Sequence, residues 1–153
     1  MDNSLGTPRK RHVLVVDDNV ELGRFFSEIL KLHGYDATFQ TDAVLALKHA
    51  LNQHTDAVIC DLQMPHLDGD LFFATVERTN PNLARRFIFV TGLADDTRFQ
   101  KFISTVDAPV LRKPVLVETL LSEVGRITGR ELEPPADLTL KMAEPRNTRD
   151  LRG

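Results

Sequence analysis

The sequence predicts an α/β protein: a doubly wound, five-stranded parallel sheet with helices on both faces. Three observations predict it. Short apolar runs at 12–16, 57–60 and 87–90 have the continuous character of strands buried on both sides. Helical segments whose apolar residues recur at three- and four-residue spacing separate the strands. Several strands end on residues that carry chemistry, namely Asp17-Asp18, Asp61, Thr91-Gly92 and Lys113-Pro114. A helix in every crossover makes neighbouring strands parallel.

The elements follow in order. Residues 1–10 hold little that could be buried and form a loose arm. His12 to Val16 is the first strand, and Asn19 or one of the aspartates caps a helix over 20–33. Leu22, Phe25, Phe26, Ile29 and Leu32 make its buried stripe, and Gly34 ends it. Tyr35 to Phe39 is a weaker strand near the edge, interrupted by Asp36 and Thr38. Thr41 or Asp42 caps a second helix buried through Leu45, Leu47, Ala50 and Leu51. Ala57 to Cys60 is the third strand and delivers Asp61. A helix over 69–79 then buries Leu71, Phe72 and Val76 until Asn80-Pro81-Asn82 breaks it. Phe87 to Val90 is the fourth strand. Asp95 or Asp96 opens a helix whose inner face is Phe99, Phe102, Ile103 and Val106. Pro109 to Arg112 is a short fifth strand. The last helix, over 115–127, is buried through Leu116, Leu120, Leu121, Val124 and Ile127, with Gly129 after it.

After residue 129 the composition turns to Pro, Glu, Arg and Asn, which marks 130–153 as a polar tail or linker. Asp137 to Met142 alone has enough apolar character to dock as a short extra element. The organisation is therefore an arm over 1–10, one domain over 11–129, and a tail.

Composition removes several function classes. The net charge of −3 argues against a nucleic-acid binder, and the basic run Arg9-Lys10-Arg11-His12 is the solvated approach to the first strand. The single cysteine, Cys60, permits no intrachain disulfide and sits within an apolar run as a small buried hydrophobe. No apolar stretch is long enough to span a bilayer and the N-terminus has no signal-peptide core, so no membrane insertion and a cytoplasmic location are expected. There is no Gly-x-x-x-x-Gly-Lys-Ser/Thr loop, no Gly-x-Gly-x-x-Gly after the first strand, no His-x-x-x-His and no Gly-x-Ser-x-Gly elbow. His66 is a solvated loop histidine.

In an open α/β sheet, ligands bind outside the carboxyl ends of the strands. Those ends carry Asp17, Asp18, Asp61, Thr91 and Lys113. Three converging carboxylates repel one another, and a hard divalent cation relieves the repulsion. Mg²⁺ is expected, with Mn²⁺ as an alternative, held by Asp18 and Asp61, by Asp17 directly or through water, and by the backbone carbonyl of Gln63. A carboxylate beside such an ion can act as a nucleophile on phosphorus and form an acyl phosphate, and Asp61 is the candidate. Lys113 would pair with the phosphoryl oxygens and Thr91 would donate a hydrogen bond to one of them. Gly92 keeps the entrance open, and a cis Lys113–Pro114 bond would aim Lys113 inward.

The motifs Val15-Val16-Asp17-Asp18-Asn19, Asp61-Leu62-Gln63-Met64-Pro65-His66-Leu67-Asp68-Gly69, Val90-Thr91-Gly92 and Arg112-Lys113-Pro114 together resemble the receiver domains of two-component response regulators, over about residues 11 to 129. The resemblance implies the flavodoxin-like strand order 2-1-3-4-5. It implies that Asp61 accepts a phosphoryl group from a phosphohistidine on a sensor histidine kinase or histidine phosphotransfer protein. By the same resemblance Asp17 and Asp18 hold Mg²⁺, and Thr91 and Lys113 sense the phosphoryl group in a phosphorelay. The chain would be a switch that binds a downstream protein target, not a small-molecule turnover enzyme. The alternative is a phosphorylation-independent binding module. A metal-dependent phosphatase would want a second carboxylate two residues beyond Asp61, where Gln63 stands.

Two departures from the family's common pattern stand out, one at Val110 and one at the pair Gln63 and Leu93. Val110 stands where many receivers carry an aromatic residue that moves with the threonine, so the signal is expected to leave through the Leu93 to Phe102 region or the last helix. Gln63 and Leu93 occupy the positions that line the path of attacking water and tune phosphoryl lifetime. Nothing after Ile127 resembles a DNA-binding or catalytic output module, so the chain resembles a stand-alone receiver or the receiver end of a hybrid sensor kinase. These motifs encode neither the partner's identity nor an oligomeric state.

Overall fold

The computed structural model describes residues 9–130. The expected arm over 1–10 and tail over 130–153, including the Asp137 to Met142 segment, fall almost wholly outside the described residues. The chain runs β1 (His12–Val16), α1 (Val20–Leu32), β2 (Asp36–Gln40), α2 (Ala43–Asn52), β3 (Ala57–Cys60), α3 (Gly69–Thr79), α4 (Pro81–Ala84), β4 (Phe87–Thr91), α5 (Thr97–Thr105), β5 (Val110–Arg112) and α6 (Val117–Thr128). The five strands are parallel, in the order β2-β1-β3-β4-β5. This is the flavodoxin-like topology that the resemblance implies, with β1, β3 and β4 in the interior.

Alternation along the strands divides the core. Leu14 and Val16, Val58 and Cys60, and Phe87 and Phe89 pack with α2, α3, α4 and α5. Val13 and Val15, Ala57 and Ile59, and Ile88 and Val90 pack with α1 and α6 on the other face. Asn19, Asp42 and Asp96 are the caps of α1, α2 and α5, each accepting a hydrogen bond from a first-turn N–H. Gly34 and Gly129 both take a positive φ just past a helix end.

Several expected core positions are exposed instead. Phe25 and Leu32 of α1, Leu45 and Leu51 of α2, Leu71 of α3 and Leu116 before α6 face solvent. In α2 the buried line is Ala43, Ala46 and Ala50, because small side chains let the helix lie close against the sheet; Leu47 still packs against the core, and Leu45 and Leu51 splay outward. In α1 the line turns through Gly23, Phe26 and Leu30, leaving Phe25 and Leu32 on its flanks. Leu116 is the N-cap residue of α6 and precedes its apolar stripe. Among the described residues there is also a sixth helix: beyond Asn80, Pro81 occupies the first turn of α4, and the Asn80 side chain caps it.

The sheet's amino-terminal edge is held by Asp56, which is 8% exposed. Its Oδ2 accepts the His12 N–H at 2.8 Å, and its Oδ1 lies 2.9 Å from His54 Nε2 and 3.7 Å from Arg9. Burial works against its charge, but these partners outweigh burial and hold the carboxyl below its usual value. Its stabilisation is therefore present above the unfolded carboxylate's pKa and is lost as pH falls through the lower folded-state value. Asp56→Ala is expected to cost about 2 kcal/mol at pH 7. Urea midpoints should show that gap narrowing as pH is lowered below the ordinary carboxylate range, and a gap that does not change with pH would contradict the assignment.

Candidate functional site

The carboxyl edge of the sheet brings the predicted residues together because three strands stop there side by side. Asp17 follows β1 and is 3% exposed; its N–H donates to Gln40 O at 3.1 Å, and its Oδ1 accepts from Asn19 N at 2.9 Å. Asp61 follows β3 and is tied to β1 through its N–H to Val16 O, 2.9 Å. Asp18 sits at the exposed rim. One carboxylate oxygen from each of Asp17, Asp18 and Asp61 lies within 4.8 Å of the others. Lys113 reaches in from the end of β5, where its N–H donates to Thr91 O and its bond to Pro114 is cis. Its Nζ donates to Asp17 Oδ2 at 2.8 Å and to Asp61 Oδ2 at 2.9 Å.

Three carboxylates against one ammonium leave two net negative charges, and the donor set is wholly oxygen. That fits a hard divalent ion of the Mg²⁺ kind better than zinc or copper. Burial pushes the Asp61 carboxyl up and outweighs the hydrogen bond from Lys113. Burial also pulls on the Lys113 ammonium, but Asp17 and Asp61 hold it above its ordinary value, so it stays charged. Cys60 behaves as expected: it is fully buried, and burial beside Asp61 and Asp17 pushes its thiol well up, which leaves it inert.

Asp18, Asp61, Gln63, Gly92, Leu93 and Lys113 line one hollow of about 440 Å³. Thr91 is wholly buried and does not line it; its Oγ1 accepts the Leu93 N–H at 3.0 Å, which leaves the hydroxyl proton free to donate. Val110 also lies outside the hollow. It pairs with Phe89 and packs into the core under α5, where Phe102 meets Phe89 edge-on at 5.1 Å and Phe73 meets Phe102 at 5.8 Å. Two rim residues, Met64 and Pro65, were not among the candidate site residues, although they follow Gln63 directly. Asp68 shapes their loop by accepting the Met64 N–H at 3.2 Å. His66 adopts a positive φ and turns outward to Asp42, which bears out its reading as a loop residue.

An all-oxygen acidic cluster beside an ammonium, at the carboxyl edge of a doubly wound sheet, belongs to proteins that handle phosphoryl groups. The family model for the response regulator receiver domain matches residues 13–125. The chain belongs to that family, whose members are Mg²⁺-dependent phosphoacceptor switches of phosphorelay signalling. It is 32% identical over 122 residues to the probable chemotaxis protein CheY of Rhizobium etli, covering 78% of this chain and 94% of that one. It is 29% identical over 120 residues to the sensor protein EvgS of Escherichia coli, covering 78% of this chain but 10% of that much longer protein. Among solved structures it resembles the receiver domain of sensor histidine kinase PA1611 from Pseudomonas aeruginosa, described with a magnesium ion coordinated in its active-site cleft. The TM-score is 0.70 at 24% identity, over 79% of this chain and 99% of that one. Among the described residues no helix is long and apolar enough to cross a membrane.

Proposed function

We propose that Asp61 is the phosphoacceptor and that Asp17, Asp18, Asp61 and the Gln63 carbonyl hold the divalent ion, within a receiver unit spanning 11–129. The observation that carries this reading is Lys113 bridging Asp17 and Asp61 at 2.8 and 2.9 Å inside the acidic cluster. A phosphohistidine of a sensor kinase or histidine phosphotransfer protein is the donor. An Asp61 carboxylate oxygen forms a bond to phosphorus, the phosphorus–nitrogen bond breaks, and the imidazole leaves with a proton. Mg²⁺, when bound, offsets charge on the phosphoryl oxygens. Lys113 then exchanges its carboxylate contact for a phosphoryl oxygen, and the free Thr91 hydroxyl proton donates to another. Gln63 and Leu93 screen the acyl phosphate from water at the rim.

Because the Thr91 hydroxyl also holds the Leu93 N–H, drawing it toward the phosphoryl group displaces the start of the segment leading to α5. Val110 offers no ring to follow that motion. Phe102, packed on Phe89 and Phe73, passes it from α5 to α3, and the downstream target reads that face.

Intact mass after incubation with acetyl phosphate and Mg²⁺ tests the central claim. One phosphoryl group, a gain of about 80 Da, is expected, and none in the absence of metal. If no adduct forms with acetyl phosphate or with a competent phosphohistidine donor, the chain is a constitutive docking module.

A further inference from the structure

The end of the sheet opposite the acidic cluster carries a second constellation that phosphoryl chemistry does not use. Parallel register sets His12, the first residue of β1, beside Asp36, the first residue of β2. Helix α2 runs back toward that end and brings His49 in its last turn over His12. The two imidazoles meet head to head, Nε2 to Nε2 at 3.1 Å, with centroids 5.2 Å apart and planes inclined by 23°. His12 Nδ1 lies 3.2 Å from Asp36 Oδ2. A strand of this length puts the pair roughly 16 Å from Asp17.

We infer that His12 and His49 form a two-imidazole site for a borderline divalent transition ion, with zinc as its representative. Zinc holds imidazole nitrogens at about 2.0–2.1 Å, so two tetrahedral ligands lie about 3.3 Å apart. The observed 3.1 Å needs a small spread and a rotation of both rings toward one side. Asp36 anchors the His12 proton on Nδ1 and leaves Nε2 as the donor, the carboxylate–histidine–metal arrangement that orients a ligand and raises its basicity. Without an ion, the His49 Nε2–H donates to His12 Nε2. With one, the His49 proton sits on Nδ1, so that Nε2 of each ring faces the ion.

The surroundings agree. Burial and the neighbouring His12 hold His49 below the ordinary imidazole value, which keeps it neutral at pH 7. His12 and His49 line a hollow of about 510 Å³ with Thr38, Gln53 and His54, which gives waters room to complete the coordination shell. Arg9 and Lys10 also border it, and Arg9 is engaged with His54 and Asp56. Imidazole and water donors select zinc, copper or nickel over magnesium, so the two sites take different metals. A bound ion would pin α2 to the starts of β1 and β2.

The test is calorimetric titration of the full chain with zinc chloride in millimolar Mg²⁺, which occupies the acidic cluster. One zinc per chain with micromolar affinity is expected, abolished in His49→Gln and weakened about tenfold in Asp36→Asn. Asp61→Asn should leave it unchanged, which separates this site from the phosphoacceptor assignment. Ring ¹⁵N spectra of the native chain should show the His12 and His49 Nε2 resonances moving to metal-bound positions, a readout that does not depend on a variant folding. No zinc binding, or binding that survives in His49→Gln, would overturn the site.

Discussion

Asp61→Asn is expected to abolish phosphoryl uptake while making the metal-free fold more stable. The two effects have one cause. Asp61 is 8% exposed and faces Asp17 and Asp18, so its charge is held in a place that disfavours it, and its carboxyl is pushed up by burial despite Lys113. A carboxyl whose folded-state pKa is raised contributes against folding wherever it is ionised, so at pH 7 the native chain carries that penalty and the amide does not. The asparagine oxygen can still accept the Leu62 N–H that now bonds Asp61 Oδ1 at 2.7 Å, and Lys113 keeps Asp17. A gain on the order of 1 kcal/mol is expected, the size common when a functional-site penalty is relieved. Mg²⁺ should stabilise the native chain far more than the variant, because ion binding adds stability only where the site is complete. Thermal melts in EDTA and in Mg²⁺ read both arms. A variant less stable than the native chain in EDTA would show that Asp61 is a structural ion-pair partner rather than a carboxylate kept for chemistry.

That conflict is why the site was legible in the sequence. Aspartate at the end of an apolar strand breaks local consistency, and such breaks mark function. Reading strand ends was enough to group Asp17, Asp18, Asp61 and Lys113, because a parallel sheet places all its carboxyl ends on one edge. The bounds of β3 and α3 were also legible to the residue, since an unbroken apolar run stops at Asp61 and Gly69 begins the next helix. Helix faces were less legible. Three- and four-residue spacing marks a broad arc, and only the packing distance in α2 decides that alanines rather than Leu45 and Leu51 face the sheet. Four residues are too few to show a period, which hid α4. The contact of His12 with His49 was out of reach because it joins a strand start to a helix end 37 residues away.

Glycine shows the same limit, and here the second large effect is expected. Gly69 opens α3, and Gly92 borders the entrance of the hollow. Neither takes a positive φ, so the difference between them is space. A Cβ on Gly92 would meet nothing within 4 Å. A Cβ on Gly69 would collide with the Asp61 carbonyl oxygen and lie 3.0 Å from Leu62 Cα, both main-chain atoms that no side-chain rotation can clear. Helix α3 starts at this contact, fixed by the Gly69 N–H to Leu62 O at 2.8 Å. Gly69→Ala must push α3 off the end of β3 or displace the strand end itself. Overpacking against backbone is expected to cost about 3 kcal/mol, the upper part of the usual range. Gly92→Ala should stay within about 0.5 kcal/mol of the native chain. Because the displaced atoms belong to Asp61 and its neighbour, the folded fraction of Gly69→Ala should also take up phosphate more slowly from acetyl phosphate. Denaturant midpoints together with phosphorylation rates measured well below the melting temperature separate the two losses. A Gly69→Ala chain with native stability would mean that α3 does not pack against the end of β3 as closely as this contact requires. One that is destabilised yet phosphorylated at the native rate would mean that α3 yields while the strand end holds still, leaving the position of Asp61 to the sheet alone.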